Sequence, residues 1–140
     1  LLIGYRWFDA MKIAPLFPFG HGLSYTKFAY HNLKANHTIV TFTVENTGDT
    51  AGWEVPQLYV GFPSSANEPP QQLRGFSKHL LSPGEKVTVT MTLTERAFSI
   101  WDVAAHSWTV VAGQYAIHVG SSSRDIRLTD SITLPKAWTK

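Results

Sequence analysis

The chain has 140 residues, 44% of them hydrophobic and 16% charged, with a formal net charge of +2. Such hydrophobicity with so little charge excludes an intrinsically disordered segment and is enough for one domain with a sandwich core. The Lys and Arg are scattered rather than aligned into a phosphate-tracking stripe, no stretch approaches the ~20 apolar residues of a membrane span, and there is no cysteine. No nucleic-acid or membrane partner is therefore expected, and no disulfide or thiolate metal site.

Residues 1–20 are rich in aromatic side chains and show no clean helical or strand period. Leu1 stands where an initiator Met would, and no signal-peptide pattern follows, so the chain reads as a piece of something longer. Left alone this arm would expose Trp7, Phe8, Phe17 and Phe19, so it is expected to pack along the following domain or against a neighbour. The stretch PLFPFGHGLSYTKF, residues 15–28, has the proline and glycine density of a joint. His21 sits between two glycines without a recognisable nucleophile or ligand beside it, so it is expected to be structural, making local hydrogen bonds together with Tyr25.

Beyond residue 24 the period becomes two. In TIVTFTVEN, Val40, Phe42 and Val44 alternate with Thr41, Thr43 and Glu45; in KVTVTMTLT, Val87, Val89, Met91 and Leu93 alternate with threonines. Such alternation suits a strand with one dry and one wet face, and β-branched threonine favours the extended backbone. Strands are predicted at 25–33, 37–46, 53–61, 72–81, 86–94, 107–119 as a hairpin pair turning at VAGQ, and 125–134. NTGD and SPGE supply turns, the latter with Pro83 and Gly84 at the two central positions. The proline-rich stretch 62–72 is predicted to be an exposed loop, and LTERAFSIWD a short helical turn crossing between sheets. About seven strands with regular turns predict an all-β, immunoglobulin-like antiparallel sandwich preceded by an irregular arm.

The segments GYRWFD and PLFPFGHGLSYTKF, continued by VTFTVENTGDTAGWEVPQLYV, QLRGFSKHLLSPGEKVTVTMTL, FSIWD and AGQYAIHVGSSSRDIRL, resemble the junction and C-terminal fibronectin type III-like domain of glycoside hydrolase family 3 β-glucosidases. The resemblance implies that residues 1–20 are the tail of the preceding α/β-sandwich domain and its linker, and that residues 21–140 are the fibronectin type III-like domain. It also implies that the aspartate nucleophile and the acid/base glutamate lie upstream, so no catalytic residue is expected here. The implied role is a non-catalytic accessory domain of a secreted enzyme, with that enzyme's catalytic domains as partner.

Candidate sites are few. Glu45, Asp49 and Glu54 flank one turn and are expected to be solvated, while Glu85 and Asp125 read as turn formers. The six histidines never approach zinc-motif spacing, and neither metal nor cofactor is expected. Trp53, Trp101 and Trp108 fall at strand ends, where core packing is the default role. The alternative function is an independent module that adsorbs to plant cell-wall polymer, polysaccharide or lignin, through surface aromatics. For that surface, or for interdomain contact, the candidates are Trp7, Phe8, Trp53, Trp108 and Trp138. Asn36, in the triplet Asn36-His37-Thr38, is a candidate glycosylation site in a secreted chain.

Overall fold

The computed structural model describes residues 1–135; Trp138 lies outside the described residues. A short helix in the arm, α1 (Tyr5–Ala10), is followed by the strands β1 (Phe28–Ala35), β2 (Ile39–Asn46), β3 (Gly52–Glu54), β4 (Gln57–Gly61), β5 (Gln72–Phe76), β6 (His79–Leu81) and β7 (Lys86–Thr92). The one-turn helix α2 (Glu95–Phe98) precedes β8 (Ser99–Asp102), β9 (Ser107–Val110), β10 (Gly113–Gly120) and β11 (Ile126–Leu134). Two antiparallel sheets dominate: a three-stranded sheet ordered β1-β2-β7 and a four-stranded sheet ordered β11-β10-β4-β5. These are the layers of the expected sandwich, and the alternating residues lie between them. Val40, Phe42, Val44, Val89 and Met91 from one sheet meet Leu58, Val60, Tyr115, Ile117 and Val119 from the other, all buried.

The strand boundaries depart from the sequence expectation in instructive ways. The segment 53–61 breaks at Pro56, which has no N–H for a ladder bond, and 72–81 breaks opposite it. The pieces pair as β4 with β5 and β3 with β6. The expected hairpin within 107–119 does not form. Instead β9 pairs with β8, Trp108 opposite Trp101, while β10 pairs with β11 and β4. The alternation in this segment is genuine, but a turn signal cannot specify which neighbour a strand finds. The stretch 62–72 is not a freely exposed loop either, since Ala66, Gln71 and Gln72 are buried.

Two buried polar groups tie strands to turns. Asn46, at the end of β2, accepts from Thr26 Oγ1 (2.7 Å) and the Gly48 N–H (3.0 Å) and donates to the carbonyls of Thr50 and Leu81. One side chain thus holds the joint, the NTGD turn and β6. Tyr115, at the start of β10, donates its hydroxyl back to the Val111 carbonyl at 2.7 Å and also reaches the Phe98 carbonyl at 3.2 Å. This is the corner arrangement of immunoglobulin-like sandwiches, in which a tyrosine ties the connection it follows.

Replacing Tyr115 by Phe leaves the ring packed but the carbonyls without their donor, and is expected to cost about 1 kcal/mol by urea unfolding. Burial raises the hydroxyl pKa of Tyr30, Tyr59 and Tyr115 above the ordinary value. Above about pH 10 the unfolded chain therefore loses phenolic protons that the folded chain keeps, and stability falls as the pH rises, by up to about 1.4 kcal/mol per pH unit for each of Tyr30 and Tyr59. Urea midpoints measured between about pH 9 and about pH 11 should show this decline; a flat profile would contradict it.

Candidate interdomain surface

The arm lies over the β4–β5 side of the outer face of the four-stranded sheet, while Gln114, Thr129, Ser131 and Thr133 on β10 and β11 stay exposed. In β4 every residue is buried, because Leu58 and Val60 enter the core while Gln57 and Tyr59, on the opposite face, lie beneath the arm. The sequence YRWFDA is too short to be a helix by propensity alone. It is held by two side chains one turn apart, Tyr5 and Asp9, which face the sandwich. The Leu73 N–H of the edge strand β5 donates to the Tyr5 hydroxyl at 2.8 Å. The Tyr5 ring stacks on Phe19 at 4.7 Å and meets Tyr59 edge-on at 6.0 Å.

Asp9 is the polar anchor. Its carboxylate accepts from Arg124 Nε at 2.7 Å and from Gln71 Nε2 at 3.3 Å, and its side chain is only 8% exposed. Arg124 also donates to the Ile13 carbonyl, and Gln71 to the Ser123 carbonyl. After α1 the chain turns at Lys12, a non-glycine residue with φ of 56°, where the Ile13 N–H bonds back to Phe8 and the Lys12 N–H to Asp9. These two bonds form a Schellman-type cap. Between α1 and residues 15–19 lies a cavity of about 160 Å³ lined by Tyr5, Phe8, Pro15, Phe17, Phe19 and Arg124, among others.

The joint follows the same logic. The Ser123 N–H donates to the Phe19 carbonyl at 2.9 Å, and Gln57 donates to the carbonyls of Gly20 and Ser121. Tyr59 completes the chain by donating to Gln57 Oε1. Gly20 has φ of 81°, and a Cβ there would stand 2.2 Å from Gln57 Oε1, so this position has room only for glycine. His21 is exposed and stacks on Phe17 at 6.0 Å. The His21 N–H makes a local bond to the Pro18 carbonyl at 3.0 Å, but among the described residues neither the His21 ring nor the Tyr25 hydroxyl is hydrogen-bonded, and Tyr25 is fully exposed. A structural His21 accords with this; its mode is stacking.

The arm also carries exposed apolar side chains: Leu16 is 90% and Phe17 71% exposed, and Ile3, Trp7 and Phe19 are exposed as well. Phe76 pairs with Gln57 across β4 and β5, so its exposed ring stands on the face the arm covers.

The sequence candidates do not converge. Trp7 and Phe8 meet edge-on in the arm at 5.1 Å. Trp53 lies on the separate β3–β6 ladder, half exposed, with Lys78 over its ring at 4.7 Å. Trp108 lies on β9 against Trp101, with planes 67° apart and the Arg96 guanidinium over its ring. The default core role for Trp53, Trp101 and Trp108 is thus corrected: each is about half exposed, because the short ladders that carry them lie outside the two main sheets. Glu54 is also corrected. It is buried and accepts the Tyr30 hydroxyl at 2.6 Å, whereas Glu45 is engaged by His31 and Lys86 at the surface. The clasp residues Asp9, Gln57, Tyr59, Gln71 and Arg124 carried no local signal, since Asp9 and Arg124 stand 115 positions apart.

A family model for the fibronectin type III-like domain matches residues 54–123, half of the chain. The chain belongs to that family. This fibronectin type III-like domain is similar to part of β-glucosidase cel3A of Pyricularia oryzae, 46% identical over 94% of the chain and 19% of the relative. It is equally similar to part of the thermostable β-glucosidase B of Acetivibrio thermocellus, 45% identical over 94% of the chain and 19% of the relative. The crystal structure of β-D-glucoside glucohydrolase from Trichoderma reesei superposes with a TM-score of 0.91 at 41% identity, over 95% of the chain and 22% of that structure. The chain spans about a fifth of the length of these relatives.

Replacing Asp9 by Ala removes the acceptor of Arg124 Nε and the weaker of the two acceptors of Gln71, and is expected to cost about 1 kcal/mol. Limited proteolysis should then cut within residues 1–20 faster than in the parent chain. Equal cleavage rates would show that the arm is held without this clasp.

Proposed function

We propose that the chain is a non-catalytic accessory domain of a family 3 β-glucosidase, packing on the domains that hydrolyse terminal β-glucosides and stabilising them. The observation that carries this reading is the two-sided arm, pinned to the sandwich by Tyr5 and Asp9 while Leu16, Phe17 and Trp7 face outward. An apolar surface of that kind marks a contact with another protein surface. That the chain corresponds to about a fifth of its β-glucosidase relatives supports the rest of such an enzyme as the partner. The division at residue 20 belongs to the same proposal, with the arm as the tail of the preceding domain and residues 21–140 as the accessory domain. On this reading the enzyme works outside the cell, with its nucleophile and acid/base upstream of this chain.

The half-exposed rings of Trp53, Trp101 and Trp108 favour a second reading, adsorption to cell-wall polysaccharide or lignin. Trp101 and Trp108 are inclined at 67°, which does not make the flat platform a sugar face stacks on, and the first reading is preferred.

The test mixes the 140-residue chain with the parent β-glucosidase lacking it. The two should associate and the thermal unfolding of the catalytic part should rise, while the chain alone turns over no aryl glucoside above blank. A variant with Trp7, Leu16 and Phe17 all changed to Ser should bind at least about tenfold more weakly. Absence of association, or unchanged affinity of the variant, would overturn the proposal. Retention of the chain on cellulose, xylan or lignin above a control protein would support the second reading.

A further inference from the structure

The Asn36-His37-Thr38 triplet is not used by the interdomain surface, and its geometry has a chemistry of its own. It forms the tip of the β1–β2 hairpin, with all three residues exposed. Asn36 Oδ1 accepts from the Thr38 N–H (2.8 Å), the Thr38 hydroxyl (2.9 Å) and the Ile39 N–H (2.8 Å). The carboxamide oxygen therefore fixes the turn, while Nδ2 has no hydrogen-bond partner among the described residues and stands at an exposed position. Placing a sugar on Nδ2 would leave all three bonds in place.

We propose that Asn36 is an acceptor for an N-linked oligosaccharide. In the transfer Nδ2 attacks the anomeric carbon of an oligosaccharide carried on a lipid diphosphate. The bond from that carbon to the diphosphate oxygen breaks, the lipid diphosphate leaves with the electron pair, and the displaced amide proton passes to a base of the transferase. The triplet supplies the hydroxyl two residues on that such transferases require, and His37 between them is not proline. The location is favourable as well. β1 and β2 begin and end beside the joint at Phe28 and Asn46 and reach their far end at Ala35 and Val40. Eight residues of strand place the tip roughly 25 Å from the joint. A glycan there extends from the opposite end of the sandwich and leaves the apolar side of the arm uncovered. The proposal stands independently of the interdomain reading.

The experiment secretes the full 140-residue chain from a yeast host behind a cleavable leader, beside a control protein with a known occupied acceptor. Tryptic mapping of the peptide covering residues 35–74 should show a series of masses differing by hexose, collapsing after treatment with a glycan-releasing amidase that leaves aspartate at the acceptor. N36Q and T38A should lose the series and migrate as a single unmodified form, while T38S, which keeps the hydroxyl, should retain it. Because transfer does not need the final fold, a destabilised variant still reports on the acceptor. An unmodified peptide in the parent chain while the control is glycosylated would overturn the proposal, as would a modified N36Q.

Discussion

The outer face of the four-stranded sheet sets the constraint on which the rest of the molecule depends. Gln57 and Tyr59 are buried there, and Gln71 is buried at the entry to β5 beside them. A buried amide or hydroxyl without a partner costs on the order of 1–3 kcal/mol, so each must find a donor or acceptor close by. The arm and the β10–β11 turn supply them through Gly20, Asp9, Ser121 and Ser123. Most such sandwich faces meet water, and a polar residue on one needs no partner. Here the part of the face over β4 is covered, so residues 1–20 and the sandwich share hydrogen bonds there.

Those bonds give the arm its two sides. A six-residue helix has too few internal bonds to persist alone, and its conformation is dictated by what it contacts. Tyr5 and Asp9, one helical turn apart, turn inward together, and Trp7 between them is left outside. The same division continues to Phe17 and Leu16. The side turned to the sheet carries the polar anchors of the arm, and the side turned away carries its exposed apolar side chains.

The alternation in β2, β7 and β10 was legible in the sequence because a strand's two faces are written at every second residue, and the core it predicts is the one formed. The SPGE turn was legible for a similar reason, since Gly84 takes the left-handed φ of 76° that its position suggested. Partner choice was not legible. The segment 107–119 looked like one hairpin, yet β9 went to β8. The exposed tryptophans were misplaced because their hydrophobicity says nothing about whether a short ladder lies inside or outside the main layers. Glu54 appeared to be a surface charge because Tyr30, its partner, lies 24 positions away.

The sequence by itself determined the two-layer β architecture, the SPGE turn and the family, because side-chain period, proline and glycine act locally and the resemblance runs along nearly the whole chain. It also contained the Asn-His-Thr triplet at residues 36–38. Only the tertiary structure decided which polar residues are buried, which aromatic side chains face outward, and how the arm lies on the sheet. Those outcomes depend on pairs such as Asp9 with Arg124, brought together from opposite ends of the chain by the closing of the sandwich itself.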